Sequence, residues 1–172
     1  QLSVGQPPEK AREILDAVEK RADTLPDEDA AQVYTTLAPL RLSTGDTAGA
    51  ERLWRAAAEK KPDDLGIREA LMDIAATEGN PEKAQAAAAD IIRIAGADSA
   101  RGRVAEASVR ILEARLALAQ HEREEGGIDE IPAAIRDILD EARNRLIEAE
   151  NERPGWSLIQ ILFAEVEVLR GE

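Results

Sequence analysis

Two stretches of this chain repeat one another at an offset of 34 residues, and no other feature constrains the fold as strongly. Gly45 recurs as Gly79, Asp46 as Asn80, Ala50 as Ala84 and Ala57 as Ile91. Each pair matches in what it can do: a glycine able to end one helix, a short polar residue able to cap the next, and small or apolar residues placed where helices touch. Turn, cap and core recurring at one offset point to a stacked array of short units, none of which can bury an apolar face alone.

The apolar residues fall at helical spacing throughout, and no alternating stretch is long enough for a strand. A first helix carries Ala11, Ile14, Leu15, Val18 and Ala22 on one face. A second, from about Asp27 to Thr44, carries Val33, Tyr34, Leu37, Ala38 and Leu40. Ala50, Leu53, Trp54, Ala57 and Ala58 mark a third, stopped by Pro62-Asp63-Asp64, and Ile67, Leu71, Ile74 and Ala75 mark a fourth. Asn80-Pro81-Glu82 reads as cap, first-turn proline and first-turn acid of a fifth helix. A long sixth helix is expected from after Asp98-Ser99 to Glu125, stopped by Gly126-Gly127. The seventh is expected over Asp129 to Glu150, with Ile131, Ala134, Ile135, Ile138, Leu139, Ala142, Leu146 and Ala149 on its stripe. The eighth, Trp156 to Arg170, is apolar nearly all round, as a helix sandwiched on both sides would be.

At this point the sequence resembles the tetratricopeptide repeat family, whose unit is a helix-turn-helix of 34 residues. Tyr34, Leu37 and Ala38 match the first-helix pattern of that family, and Ala50, Trp54, Ala57 and Pro62 match the second, giving a unit over 31–64. The next unit, 65–98, agrees at Leu71, Ala84 and Ile91, departs at Met72 and Ala88, and has Gly96 where the closing proline would stand. The resemblance implies an all-α fold of antiparallel helix-turn-helix repeats, about eight helices stacked as a right-handed α-solenoid.

The same register extends to the flanks. Residues 1–26 read as the second helix of a truncated unit and 157–172 as the first helix of another, so the whole of 1–172 is expected to be one segment of a longer array. Between them, 99–156 is a unit with elongated helices, 58 residues long against the usual 34. Sharing the surplus gives each helix about twelve extra residues, roughly three turns. The expectation is one extended hairpin with its tip at Gly126-Gly127, held by Leu112, Leu116 and Ala119 facing Ile131, Ile135 and Ile138.

Charge narrows the function. The formal net charge is −13, and an acidic surface of that size repels phosphate backbones, which disfavours nucleic acid. Apolar residues at 44% exclude a disordered acidic tail. With no cysteine there is neither a disulfide framework nor a thiolate metal site, and the lack does not separate cytoplasm from periplasm. Apolar runs are too short to span a membrane, so a soluble chain is expected.

No motif carries chemistry. The only histidine, His121, lacks a second strong metal ligand in its pattern and reads as a solvated helix end. Asp63-Asp64 and Glu124-Glu125 read as caps and solvated faces, and Ser99 and Ser108 have no matched base. No catalysis and no cofactor are expected. Trp54 sits at a core-forming repeat position, and Trp156 at a unit junction, where it is expected to cover the apolar end of the stack. Pro39 lies inside a helix and predicts a kink or local unwinding.

In tetratricopeptide arrays first helices line the inner surface. The resemblance therefore implies partner-binding candidates at Gln32, Thr35, Pro39 and Leu42, at Glu69, Asp73 and Ala76, and at Arg103 and Ala107. One branch of the family grips a peptide carboxylate with Lys, Asn and Arg. At the matching places this chain has Thr35, Pro39, Ala70 and Arg103, and Glu69 and Asp73 oppose an acidic peptide. The expected function is a protein-interaction or scaffolding module whose protein or peptide partner is neutral or basic. The alternative is a substrate-recruiting or regulatory domain of a multidomain enzyme such as a transferase. Self-association through exposed solenoid ends, with Trp156, Leu158, Ile159, Leu162 and Phe163 as the patch, is a third reading.

Overall fold

A computed structural model describes residues 8–125 and 130–171. Among them are eight α-helices and no strand: α1 (Pro8–Ala22), α2 (Asp27–Ser43), α3 (Thr47–Lys60), α4 (Leu65–Glu78), α5 (Pro81–Ala95), α6 (Ala100–Glu125), α7 (Ala133–Glu152) and α8 (Ser157–Arg170). The side chain of Ala11, the Gly126-Gly127 turn and the Asp129 helix start lie outside the described residues. None of these helices is long and apolar enough to cross a membrane.

The 34-residue offset is visible in the backbone. At the end of α2, the Gly45 N–H bonds the Leu42 carbonyl and the Asp46 N–H the Arg41 carbonyl; at the end of α4, Gly79 bonds Ala76 and Asn80 bonds Ala75. This is a Schellman end, and it requires a left-handed residue, which glycine supplies at φ +77° and +65°. The caps recur as well: the Asp46 carboxylate accepts from Gly49 N–H, and the Asn80 side chain from Lys83 N–H.

The chain divides into two compact units, one ending at Ile74 and the other beginning at Ala75, with the division inside α4. The core of the N-terminal unit gathers Leu15 and Ala22 of α1, Ala30, Tyr34, Leu37 and Ala38 of α2, Ala50, Leu53, Ala57 and Ala58 of α3, and Ile67 and Ile74 of α4. Trp54 packs against this core half-buried. Ion pairs from Lys60 to Asp27 and Lys61 to Glu28 join the end of α3 to the start of α2, so the two run antiparallel.

Two expectations fail here. Ile14 and Val18 are exposed, and so is Leu40. On α1 the buried positions are Leu15 and Ala22, one heptad apart, and acids beside them face α2. The group that fills α2's next inward turn is Arg41, only 3% exposed, which ion-pairs with Asp16 (2.5 Å), Glu19 (2.6 Å) and Asp46 (2.8 Å). Burial alone would lower the guanidinium pKa; the bonds to Asp16, Asp46 and Glu19 outweigh it and raise it. The same contact with Arg41, with help from the Gly49 N–H, holds the Asp46 carboxyl below its usual range. Beside it the Tyr34 hydroxyl donates to Asp23 Oδ1 (2.6 Å), and that bond, together with burial, pushes the Tyr34 pKa up to about 12. Of the kink or local unwinding expected at Pro39, unwinding does not occur, since α2 stays helical through it.

The C-terminal unit is built on α6 and α7. Its core is a ladder of Val104, Ala107, Ile111, Ala114 and Leu118 from α6 against Ile135, Leu139, Ala142, Leu146 and Ala149 from α7, closed by Ile159, Leu162 and Val166 of α8. The expected α6 stripe was set on the wrong face. Leu116 instead lies beside the Gly79 turn, Leu112 is buried apart from this ladder, and Ala119 is exposed. The helix has two apolar stripes about a third of a turn apart, and periodicity alone does not say which meets α7. At 26 and 20 residues α6 and α7 are the longest helices described, though α7 starts four residues later than expected because Pro132 precedes it. Ala134 is exposed rather than on the α7 stripe. In α8 the apolar residues do not all find cover: Ile161 is 62% and Val168 73% exposed.

Candidate interaction groove

In the C-terminal unit three parallel stripes of side chains enclose an open groove of about 670 Å³. Helix α5 contributes Gln85, Ala88, Ala89 and Ile92; α6 contributes Glu106, Val109, Arg110 and Glu113; α7 contributes Glu141, Asn144, Arg145 and Glu148. Within each helix the four residues stand at i, i+3, i+4 and i+7, the spacing of one face over two turns. The alanines of α5 leave the room, and Ala88 and Val109, both buried, form the floor.

The walls are charged and cross-braced. Arg110 bridges Glu113 (2.8 Å) and Glu141 (3.3 Å), and Arg145 bridges Glu106 (2.9 Å) and Glu148 (3.1 Å). Gln85 Nε2 donates to Glu113 Oε1 at 3.0 Å. Hydrogen bonding to Glu113 raises the pKa of Arg110, so this cation stays charged at any pH of interest. Four glutamates face two arginines, which leaves the lining net negative. These braces tie α6 to α7 and to α5, and on the α7 rim the side chains of Glu141 and Glu148, the latter also paired with Arg103, stay about half exposed.

The residues expected to line a first-helix surface have mixed placements. In the N-terminal unit, Gln32, Pro39 and Leu42 are exposed and Thr35 half-buried along one side of α2. The Thr35 hydroxyl is turned back onto the Gln32 carbonyl (3.0 Å). On α4, Glu69 is half-buried, while Asp73 is exposed but sufficiently desolvated to raise its pKa.

In the C-terminal unit the carbonyl of Ala76 accepts from Arg115 (2.7 Å), and Ala107 is fully buried in the α6–α7 ladder, so it cannot line a surface. Arg103 is a brace: it pairs with Glu148 (3.1 Å) and Glu152 (2.9 Å) and donates to the Asp98 carbonyl.

The remaining candidates resolve into structural roles. Asp64 caps the Ile67 N–H and Ser99 caps the Gly102 N–H, while Ser108 donates to the Val104 carbonyl. Trp156 packs half-buried on the C-terminal core with the Arg153 guanidinium 4.3 Å above its ring. Among the described residues no three His, Cys, Asp or Glu side chains converge as metal ligands.

The sequence does not announce the groove because the charged stripes of α6 and α7 look like solvated faces, and only tertiary packing sets them beside each other and the alanines of α5. The one available signal was the repeated spacing of Glu106, Arg110 and Glu113 and of Glu141, Arg145 and Glu148. No protein-family model, curated protein or solved structure matches the chain.

Proposed function

We propose that this chain is a protein-interaction or scaffolding module, a segment of a right-handed α-solenoid of tetratricopeptide type, with no chemistry of its own. The observation that carries the reading is the groove: a preformed surface of mixed polar and apolar character on rigid helices, of the size and make-up that binds side chains without transforming them. The recurrence of the Gly45 turn and cap at Gly79 supports the repeat architecture. The long α6 and α7 support an elongated third unit, the extended hairpin. Gln32, Thr35, Pro39, Leu42, Glu69, Asp73 and Arg103 are proposed as partner-binding residues of the first-helix surface, secondary to the groove.

The test is co-precipitation from an extract with the chain and with Ala89→Arg, whose long side chain would fill the groove from an exposed position. Capture of a protein that the variant loses supports the reading. If the two capture identical sets, or neither captures any protein, the groove is not an interaction surface.

A second reading, self-association, is carried by α8. Ile161, Ala164 and Val168 stand exposed at i, i+3 and i+7, an apolar stripe along one side of the helix. Of the patch named from sequence, Ile159 and Leu162 are buried, and Trp156, Leu158 and Phe163 are half-buried. Sedimentation of Ile161→Glu against the parent chain decides: a dimer lost in the variant supports it, and a monomer in both sinks it.

A further inference from the structure

Resting on the interaction reading, we infer that the groove of α5, α6 and α7 takes a short basic segment of a partner protein, two cationic side chains flanking small apolar ones. Charge complementarity carries the choice of occupant. Four of the twelve lining residues are glutamates and two are arginines, and both arginines are already bound to those glutamates. An acidic segment would have to enter beside Glu106, Glu113, Glu141 and Glu148 with no uncommitted cation in the lining to meet it. A cationic one adds to networks that stay net negative: Arg110 meets Glu113 and Glu141, while Arg145 and Arg103 together meet Glu106, Glu148 and Glu152.

The geometry sets the spacing. Glu141 and Glu148 stand on the same side of α7, seven residues apart, or about 10 Å along the axis. Their side chains are 64% and 48% exposed, more than those of Glu106 and Glu113 on the α6 side, so they form the accessible rim. In a segment of polyproline II conformation, with three residues per turn and a rise of about 3.1 Å, residues three apart lie on one face about 9 Å from each other. The apolar part of the lining, buried Ala88 and Val109 with Ala89 and Ile92 beside them, accepts small apolar side chains and offers no hydrogen-bonding side chain. The recognised pattern is therefore basic, small apolar, small apolar, basic. It is read by carboxylates on one helix and seated on alanines of another.

The experiment is an amide NMR titration of the whole chain with three peptides sharing one neutral frame: Arg-Ala-Val-Arg, Gln-Ala-Val-Gln and Glu-Ala-Val-Glu at the centre. The basic peptide is expected to shift the amides of Ala88, Ala89, Ile92, Val109 and Asn144. Its affinity should exceed that of the neutral one by about tenfold and fall as salt is raised. Glu141→Lys and Ala89→Arg, each checked for unchanged helix content by circular dichroism, should each weaken it by about as much. Equal or tighter binding of the acidic or neutral peptide overturns the inference, and so do shifts lying outside the groove or absent with all three. If the peptides fail while a protein captured from extract still depends on Ala89, the interaction reading stands and only the basic chemistry falls.

Discussion

Arg41 offers the most demanding test of how the N-terminal unit is held, because a buried cation joins three helices there. In Arg41→Met the replacement keeps an unbranched stem for packing and removes only the charged head. The Arg41 side chain is 4% exposed, whereas those of Asp16, Glu19 and Asp46 are 67%, 19% and 26% exposed. The Asp16 contact is therefore largely screened and contributes well under about 1 kcal/mol. The bonds to Glu19 and Asp46 are shielded and charge-assisted, about 1–2 kcal/mol each once solvation is discounted.

Removing the cation leaves Glu19 with Arg52 and Asp46 with the Gly49 N–H, and both acids retain access to water, so the loss should stay below the ~3–5 kcal/mol of a fully buried pair broken on one side. The expected cost is about 2–3 kcal/mol. It should be read by urea unfolding of the N-terminal unit in a Trp156→Phe background, where Trp54 is the sole tryptophan reporter. Asp16→Asn should cost far less.

The Asp46 carboxyl has a depressed folded-state pKa, so its stabilisation is complete above the unfolded value near 3.9 and is lost as pH falls through the folded value. That acid sensitivity should shrink in Arg41→Met. A cost under about 1 kcal/mol, or an equal cost for Asp16→Asn, would refute the hub as the anchor of α1.

Two further outcomes are expected. At Gly102 an added Cβ would stand 2.3 Å from the Gly96 carbonyl oxygen and 3.0 Å from that of Ala97, both backbone. Gly102→Ala should therefore destabilise the C-terminal unit by about 1–2 kcal/mol despite alanine's better helix propensity, read by Trp156 fluorescence on unfolding; a stabilised variant would contradict the close approach. Tyr34 is the only tyrosine, so its phenolate absorbance reports one group. Ionisation should have its midpoint near 12 and move down in Asp23→Asn, while a midpoint near the ordinary value of 10 would contradict the Tyr34–Asp23 bond.

What was legible in the sequence is what is set locally. Helix ends depend on a glycine at one φ and a side chain within three residues, so Gly45, Asp46, Gly79 and Asn80 announced both turns and their equivalence. Choosing between stripes on one helix was not legible, since α6 carries apolar residues on two sides, and α1 mixes Leu15 and Ala22 with acids that turn out to face a buried cation. Arg41 was invisible because a lone arginine in a helix is ordinarily a surface residue, and its burial depends on acids 22 and 25 positions away. The groove was hidden for the same reason, being made of two unremarkable charged faces and one of alanines that only the packing of α5, α6 and α7 brings together.

The central claim, that this groove is the interaction surface, is tested most directly by a photo-crosslinking residue placed in turn at Ala89, at Pro39 on the first-helix face of α2, and at exposed Glu59 as control. Crosslinking in extract to a partner protein from Ala89, through a basic segment identified by peptide sequencing, is the predicted result. Crosslinks from Pro39 alone, or equal and indiscriminate crosslinking from Ala89 and Glu59, would contradict it.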